Sequence, residues 1–130
     1  MSHERSQEGY RSPEVGNEIS SVLFGVPHEI LSNTALLESA LLRSLKKDNF
    51  TILDKSVVPF KPEGVTITIT LGESHAAIHT YHEHNSLAFQ IYSCRGEDDG
   101  SGAFEYFKKL IPHEYDETHS RRVRVGGVRK

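Results

Sequence analysis

The clearest alternation of apolar and polar side chains runs over residues 65–71, where valine, isoleucines and leucine alternate with threonines. Because successive side chains of a strand point to opposite faces, this segment predicts a β-strand with one apolar face and one hydroxyl face. Residues 86–93 alternate in the same way and predict another strand. Shorter apolar segments predict further strands over residues 19–24, 51–58 and 76–80.

Two segments carry apolar side chains at the spacing of amphipathic helices. Leu37, Leu41 and Leu45 form one apolar face, and the preceding Ser32-Asn33-Thr34 offers side-chain oxygens that cap a helix. A second helix is predicted over residues 103–111, after a polar, glycine-rich loop.

The predicted order of elements favours an α+β fold. Val123 and Val125 predict a final edge strand, so the order is strand, helix, several strands, helix, strand. It is typical of a two-layer α/β sandwich, with helices on one face of a mainly antiparallel sheet. Residues 1–17 carry few apolar side chains and predict a disordered N-terminal tail, which leaves residues 18–130 as a single domain.

Composition excludes several classes of protein. A net charge of −3 gives no electrostatic reason to expect a nucleic acid as partner. No apolar run approaches the roughly 20 residues that span a bilayer, and the polar N-terminus lacks the apolar core of a signal peptide. The single cysteine, Cys94, cannot form an internal disulfide, which fits a reducing compartment. We therefore expect a cytoplasmic protein with no nucleic-acid and no membrane partner.

A serine placed just after a turn glycine permits self-cleavage chemistry, although such a serine is more often simply a turn residue. After Gly72, the hydroxyl of Ser74 can attack the carbonyl of Glu73 and convert the amide to an ester. Loss of the Ser74 α-proton would then expel the Glu73 carboxylate, and hydrolysis of the dehydroalanine would leave a pyruvoyl group. The reaction needs a base. His75 and His79 share one face of an extended segment, so strand geometry alone does not choose between them.

The run Glu73-Ser74-His75-Ala76-Ala77-Ile78-His79-Thr80 resembles the cleavage segment of bacterial S-adenosylmethionine decarboxylases, a family of pyruvoyl enzymes. Their motif reads Glu-Ser-His, three residues, then a second His followed by Thr. Upstream, the stretch from Phe60 to Val65 looks like the Phe-x-Pro-x-Gly-Val of the family. The similarity covers roughly residues 18–110.

The resemblance implies which residues perform self-cleavage. It makes His79 the histidine that assists processing, and it makes Thr66 the processing hydroxyl, where the family usually has serine. Cleavage between Glu73 and Ser74 would give a β chain of residues 1–73 and an α chain of residues 74–130. The serine would become the covalent pyruvoyl cofactor.

The resemblance also implies the roles in decarboxylation of S-adenosylmethionine for spermidine synthesis. A Schiff base between the pyruvoyl group of Ser74 and the substrate amine would accept the electrons released with carbon dioxide. Cys94 would return a proton to the α-carbon, Phe60 would stack on the adenine, and Glu83 would bind the ribose. Small bacterial members work as dimers of processed protomers, with the active site at or near the interface, so we expect a homodimer.

One departure from the family leaves alternatives open. The family usually continues His-Thr-Trp-Pro-Glu, whereas this chain has Tyr81 and His82 in place of Trp-Pro. The change alters the pocket wall and the stiffness of the loop beside the substrate. A pyruvoyl-dependent decarboxylase of a free basic amino acid, ornithine or arginine, therefore stays in view. A non-catalytic regulatory subunit is a further alternative, although such a subunit has no need of Ser74, His79 and Cys94 together.

Clustered histidines raise a metal-binding alternative. The potential ligands are His75, His79, His82, Glu83 and His84. A cupin-like site also needs a histidine in a second strand motif, and the downstream His113 and His119 lie near a predicted helix end and the tail. We therefore predict no metal site.

Overall fold

The computed structural model describes residues 12–126, which form an antiparallel sheet of six strands and three helices. The strands are β1 (Val15–Phe24), β2 (Ile52–Pro59), β3 (Val65–Leu71), β4 (Ser74–Tyr81), β5 (Ser86–Ser93) and β6 (Tyr115–Arg124). The helices are α1 (His28–Leu31), α2 (Thr34–Lys47) and α3 (Ser101–Leu110), and a 3-10 turn spans His82–His84. The strand order in the sheet is β2-β3-β4-β5-β1-β6.

The core lies between one face of the sheet and the helices. The isoleucines and leucine of β3 point inward with the alternate apolar residues of β1, β4 and β5, and they join the leucines of α2 in one buried cluster. From α3, Phe104 and Phe107 pack on Phe89 of β5, with ring centroids 5.2 and 5.0 Å apart. Burial of these apolar side chains is the main stabilising contribution to the sandwich.

The opposite side of the sheet, here called the open face, is covered by no helix among residues 12–126. Alternation along the central strands places these residues on it: Thr66, Thr68, Thr70, His75, Ala77, His79, Ala88, Gln90 and Tyr92. Most of them are partly exposed. The hydroxyl face predicted for β3 is therefore part of the open face, and so are two of the clustered histidines.

The predicted α+β sandwich is confirmed, and the differences lie at the element boundaries. β1 begins at Val15, so its first three residues fall in the predicted tail; residues 1–11 lie outside the described residues. β6 is ten residues long, although only its end was predicted, and α1 was not predicted. Asn33 caps α2 as expected, with its side chain accepting from the Leu36 amide at 3.1 Å. Within residues 12–126, no helix has the length and apolar character needed to cross a membrane.

Candidate active site

The segment predicted to be cleaved is the short connection between β3 and β4. Gly72 and Glu73 form the connection, and Ser74 is the first residue of β4. The Gly72 amide donates a hydrogen bond to the carbonyl of Thr51 at 2.8 Å. The Glu73 carboxylate accepts two more from Thr51, one from its amide at 3.2 Å and one from its hydroxyl at 3.1 Å. The connection is therefore tied to the residue before β2.

Cys94 lies beside this connection. Ser74 is the register partner of Ser93, the last residue of β5, and Cys94 follows directly. The Cys94 thiol is partly buried, and its Sγ atom lies 3.3 Å from the Tyr92 hydroxyl. The ring of Tyr92 packs against that of His75, with centroids 6.0 Å apart. The fold thus brings two predicted site residues, Ser74 and Cys94, to the same end of neighbouring strands.

An ion pair fixes the loop after Cys94. The Arg95 guanidinium contacts the Asp99 carboxylate at 2.8–3.0 Å, and Asp99 also accepts from the Arg95 amide at 2.9 Å and from the Ser93 hydroxyl. Burial disfavours the ionised Asp99, but these hydrogen bonds and the Arg95 charge outweigh it and hold the pKa of Asp99 below its ordinary value. Burial likewise opposes the charge of Arg95, yet Asp99, Asp48 and Glu73 raise its pKa.

Thr66 and His79 form a second group. They are register partners on β3 and β4, and Thr66 Oγ1 lies 3.0 Å from His79 Nδ1. Both side chains are partly exposed on the open face. A hydroxyl that is hydrogen bonded to an imidazole is a suitable arrangement for proton transfer.

The two groups lie at opposite ends of the sheet. His79 is five residues beyond Ser74 in β4, and at a rise of about 3.3 Å per residue their Cα atoms are about 16 Å apart. We call the end with Glu73, Ser74 and Cys94 the cleavage end, and the end with Thr66 and His79 the histidine end. Within one chain, the fold does not place His79 within hydrogen-bond distance of Ser74.

The predicted substrate-binding residues lie at the histidine end. Phe60 begins the turn between β2 and β3, donates its amide to the Gly64 carbonyl at 2.8 Å, and is 53% exposed. Gly64 has a φ of +114°, in the region that favours glycine. Glu83 is exposed in the turn after β4. Beside Phe60 lies a pocket of about 340 Å³ whose wall includes Pro62, Glu63 and His82.

His82, which stands where the family usually has proline, is buried in this wall. Its side chain is 3% exposed, and Nε2 lies 3.1 Å from the Ser32 hydroxyl and 3.9 Å from a Glu63 carboxylate oxygen. The ring meets that of His28 edge-on at 5.1 Å. Nδ1 has no hydrogen-bond partner among the described residues. His82 therefore connects the end of α1 to the turn that carries Phe60.

The clustered histidines do not converge. Within residues 12–126, no three His, Cys, Asp or Glu side chains are placed to share a metal ion. His75 and His79 lie on the open face, whereas His82 packs against α1.

Several residues that shape the site were not predicted. Thr51 contacts Glu73 from 22 residues away, and the Asp99 side chain is 8% exposed at the centre of the loop after Cys94. Neither contact has a local sequence pattern. The only available signal was the presence of Arg95 and two aspartates within five residues of Cys94.

Comparisons with known proteins relate the whole chain to one family. A family model described as S-adenosylmethionine decarboxylase matches residues 18–123. A Bacillus anthracis protein named S-adenosylmethionine decarboxylase proenzyme 2 is 32% identical over 108 residues, covering 83% of this chain and 86% of that protein. A Sulfurihydrogenibium protein named S-adenosylmethionine decarboxylase proenzyme is 34% identical over 109 residues, which cover 83% of this chain and 82% of that protein. The crystal structure of the adenosylmethionine decarboxylase from Aquifex aeolicus has the same fold, with a TM-score of 0.78 and 23% sequence identity. The match covers 92% of this chain and 97% of that one.

Proposed function

This chain belongs to the S-adenosylmethionine decarboxylase family, and we propose that it is a proenzyme that cleaves itself between Glu73 and Ser74 and then decarboxylates S-adenosylmethionine. The observation that carries the proposal is the position of Ser74. It is the first residue of a central strand, it follows a two-residue connection, and it lies beside the only cysteine of the chain.

Self-cleavage requires Ser74 to act on its own peptide bond. Its Oγ attacks the Glu73 carbonyl carbon, the C–N bond breaks, and the hydroxyl proton passes to the freed nitrogen, which leaves an ester. A base then removes the Ser74 α-proton, the Cβ–O bond breaks, and Glu73 departs as a carboxylate. Water hydrolyses the remaining dehydroalanine nitrogen to ammonia and leaves the pyruvoyl group. We assign the proton transfers to His79, supported by Thr66.

The surroundings of Ser74 fit a pyruvoyl group. Position 74 is partly buried and lies within the paired region of β4, so a new chain terminus there is held by strand hydrogen bonds. The group supplies the electron sink for the pair released with carbon dioxide. We assign to Cys94 the return of a proton to the substrate α-carbon, and the contact with the Tyr92 hydroxyl orients its thiol.

Substrate recognition is assigned to the histidine end. We assign stacking on the adenine to Phe60 and binding of the ribose hydroxyls to Glu83, and both side chains are exposed. Tyr81 and His82 replace the usual Trp-Pro pair beside these residues. The assay of substrates must therefore include ornithine and arginine.

A homodimer would complete the site. The residues that we assign to cleavage are divided between two ends of the sheet, about 16 Å apart. Two copies that stack their open faces bury the uncovered side of each sheet, with the sheets about 10 Å apart. If a two-fold axis between the sheets crosses the strands, the cleavage end of one copy lies over the histidine end of the other. Each site then takes Ser74 and Cys94 from one protomer and Thr66 and His79 from its partner.

We also infer a cytoplasmic location, because the proposed role of Cys94 requires a thiol that stays reduced.

The decisive experiment is an intact mass spectrum of the freshly purified protein, followed by assays of carbon dioxide release. We expect two chains, with the chain that begins at position 74 lighter by one ammonia than a serine-terminated fragment. Release of carbon dioxide from S-adenosylmethionine, and not from ornithine or arginine, identifies the substrate. A single full-length mass for the wild-type protein, with no cleavage fragments just as in the Ser74→Ala control, would show that the proposal is wrong.

A further inference from the structure

Thr51 holds the residue on the acyl side of the cleavage bond. Its amide and hydroxyl donate to the two carboxylate oxygens of Glu73 at 3.2 and 3.1 Å, and its carbonyl accepts from the Gly72 amide at 2.8 Å. Three hydrogen bonds therefore connect one residue before β2 to both residues between β3 and β4. Hydrogen bonds to a charged acceptor are among the stronger ones in proteins.

Thr51 is itself fixed by its neighbours. Asn49 has a φ of +62°, a left-handed conformation that asparagine tolerates, and it turns the chain from α2 toward β2. Its carbonyl accepts from Arg95 Nη1 at 3.1 Å, and the guanidinium carbon lies 3.6 Å from the ring centroid of Phe50, which is buried. Residues 49–51 thus contact both the residue before Ser74 and the residue after Cys94.

The anchored carboxylate limits the motion of the scissile peptide. Attack by Ser74 Oγ requires the Glu73 carbonyl carbon to stay within about 3–3.5 Å in a favourable orientation. The connection between β3 and β4 is short, but Gly72 is a flexible residue in it. The side chain of Glu73 and the amide of Gly72 are both hydrogen bonded to Thr51. These hydrogen bonds restrict the rotation of the peptide bond between Glu73 and Ser74 relative to the sheet. The Arg95 charge adds electrostatic attraction to Glu73.

We propose that Thr51 is a positioning residue for self-cleavage, which holds the Glu73 carboxylate so that the Glu73 carbonyl remains within reach of Ser74. This inference rests on the proposed function. The role is confined to cleavage, because the three hydrogen bonds join Thr51 to Gly72 and Glu73, which both become part of the β chain. Once the peptide bond is broken, the rate of decarboxylation no longer depends on the Thr51 hydroxyl.

The test compares Thr51→Val with Thr51→Ser in the full chain. Valine keeps the shape and the amide donor but removes the hydroxyl, whereas serine restores the hydroxyl. After cell-free synthesis, the half-time of cleavage is measured on gels. We expect valine to lengthen it about tenfold, the effect of losing one charge-assisted hydrogen bond, and serine to stay within about twofold of wild type. Turnover per pyruvoyl group, counted by mass spectrometry, should be equal in all three processed proteins.

The outcomes separate this inference from the proposed function. Cleavage of Thr51→Val at the wild-type rate overturns the positioning role and leaves the proposed function intact, whereas a wild-type chain that never cleaves overturns the proposed function itself. An equal loss of cleavage and of turnover per pyruvoyl group would indicate general damage and would also overturn the positioning role. As a control on folding, Thr51→Val in the uncleavable Ser74→Ala background should melt within a few degrees of Ser74→Ala alone.

Discussion

Thr66 Oγ1 lies 3.0 Å from His79 Nδ1, between two strands that run side by side in the centre of the sheet. The hydrogen bond fixes the imidazole on the open face, at the end of the sheet away from Ser74. If His79 assists cleavage as we propose, the serine on which it acts belongs to a different chain from its own.

Removal of this hydroxyl should slow self-cleavage. Thr66→Val keeps the side-chain shape but leaves His79 without its partner, and we expect cleavage to slow about ten- to one-hundredfold. Thr66→Ser restores the hydroxyl and should cleave at nearly the wild-type rate. The measurement is the fraction of cleaved chain against time on gels. Equal rates for the valine and serine variants would contradict the assignment.

Two inactive variants should complement each other. Ser74→Ala lacks the serine that is cleaved, and His79→Ala lacks the histidine that assists, so neither should cleave alone. In a mixed dimer, Ser74 of the His79→Ala chain faces His79 of the other chain, so that one site is complete.

Co-expression with two different affinity tags tests this expectation. The tag on the His79→Ala chain should appear on cleaved fragments, and the tag on the Ser74→Ala chain should remain on full-length protein. Absence of any cleavage in the mixture, with mixed dimers demonstrated by sequential purification, would exclude the shared site.

Replacement of Cys94 should separate cleavage from decarboxylation. Cys94 contacts Tyr92 and is not assigned to cleavage, so Cys94→Ala should still give two chains by mass spectrometry. Loss of a positioned proton donor typically lowers a rate about 10²–10⁴-fold, and we expect release of carbon dioxide to fall by that factor. Decarboxylation at the wild-type rate would refute its role as proton donor, with Ser74→Ala as the inactive reference.

The Asp99–Arg95 ion pair should make stability depend on pH in the acid range. Burial opposes ionisation of Asp99, but the bonds from Arg95 and Ser93 hold its pKa below the ordinary value of 3.8. Because the folded state binds the proton more weakly than the unfolded state, this stabilisation is complete above about pH 5 and is lost as the pH falls below 4.

Asp99→Asn should therefore lower the free energy of unfolding by about 1–3 kcal/mol at neutral pH, with the difference from wild type shrinking toward pH 3. Urea unfolding at several pH values measures this difference in the free energy of unfolding. The chains with and without Asp99→Asn are compared in the Ser74→Ala background, so that cleavage does not complicate the measurement. A difference that stays constant down to pH 3 would contradict the assignment. Glu97→Gln, a substitution at an exposed carboxylate in the same loop, is the matched control.

The sequence predicts the sandwich because its central strands are amphipathic. Along β3, burial alternates as the threonines and apolar residues do, so a local pattern suffices. β6 carries side chains that are mostly exposed on both faces, and it is a strand only because its backbone pairs with β1 from Val15↔Arg124 to Phe24↔Tyr115. A strand that is specified by a partner about 100 residues away has no local signature.

The same distinction applies to the site. Ser74 and Cys94 could be predicted from their spacing in a family motif, and the pairing of β4 with β5 brings them to one end of the sheet. The separation of His79 from Ser74 follows from the strand rise once the segment is known to be extended. The anchor at Thr51 could not be predicted, because it depends on how the turn after α2 meets the turn after β3.

The strand order determines what becomes of the two polypeptides once the peptide bond is broken. The N-terminal piece would contribute β1, β2 and β3, and the C-terminal piece β4, β5 and β6, yet β1 is inserted between β5 and β6. Neither piece can leave without breaking backbone pairing on both sides of β1 and between β3 and β4. Cleavage therefore changes the order of the reaction that forms the sheet. In the intact precursor all six strands belong to one chain, so the sheet can form at a rate independent of concentration. In the processed protein, once unfolded, the sheet can form only after two separate chains meet.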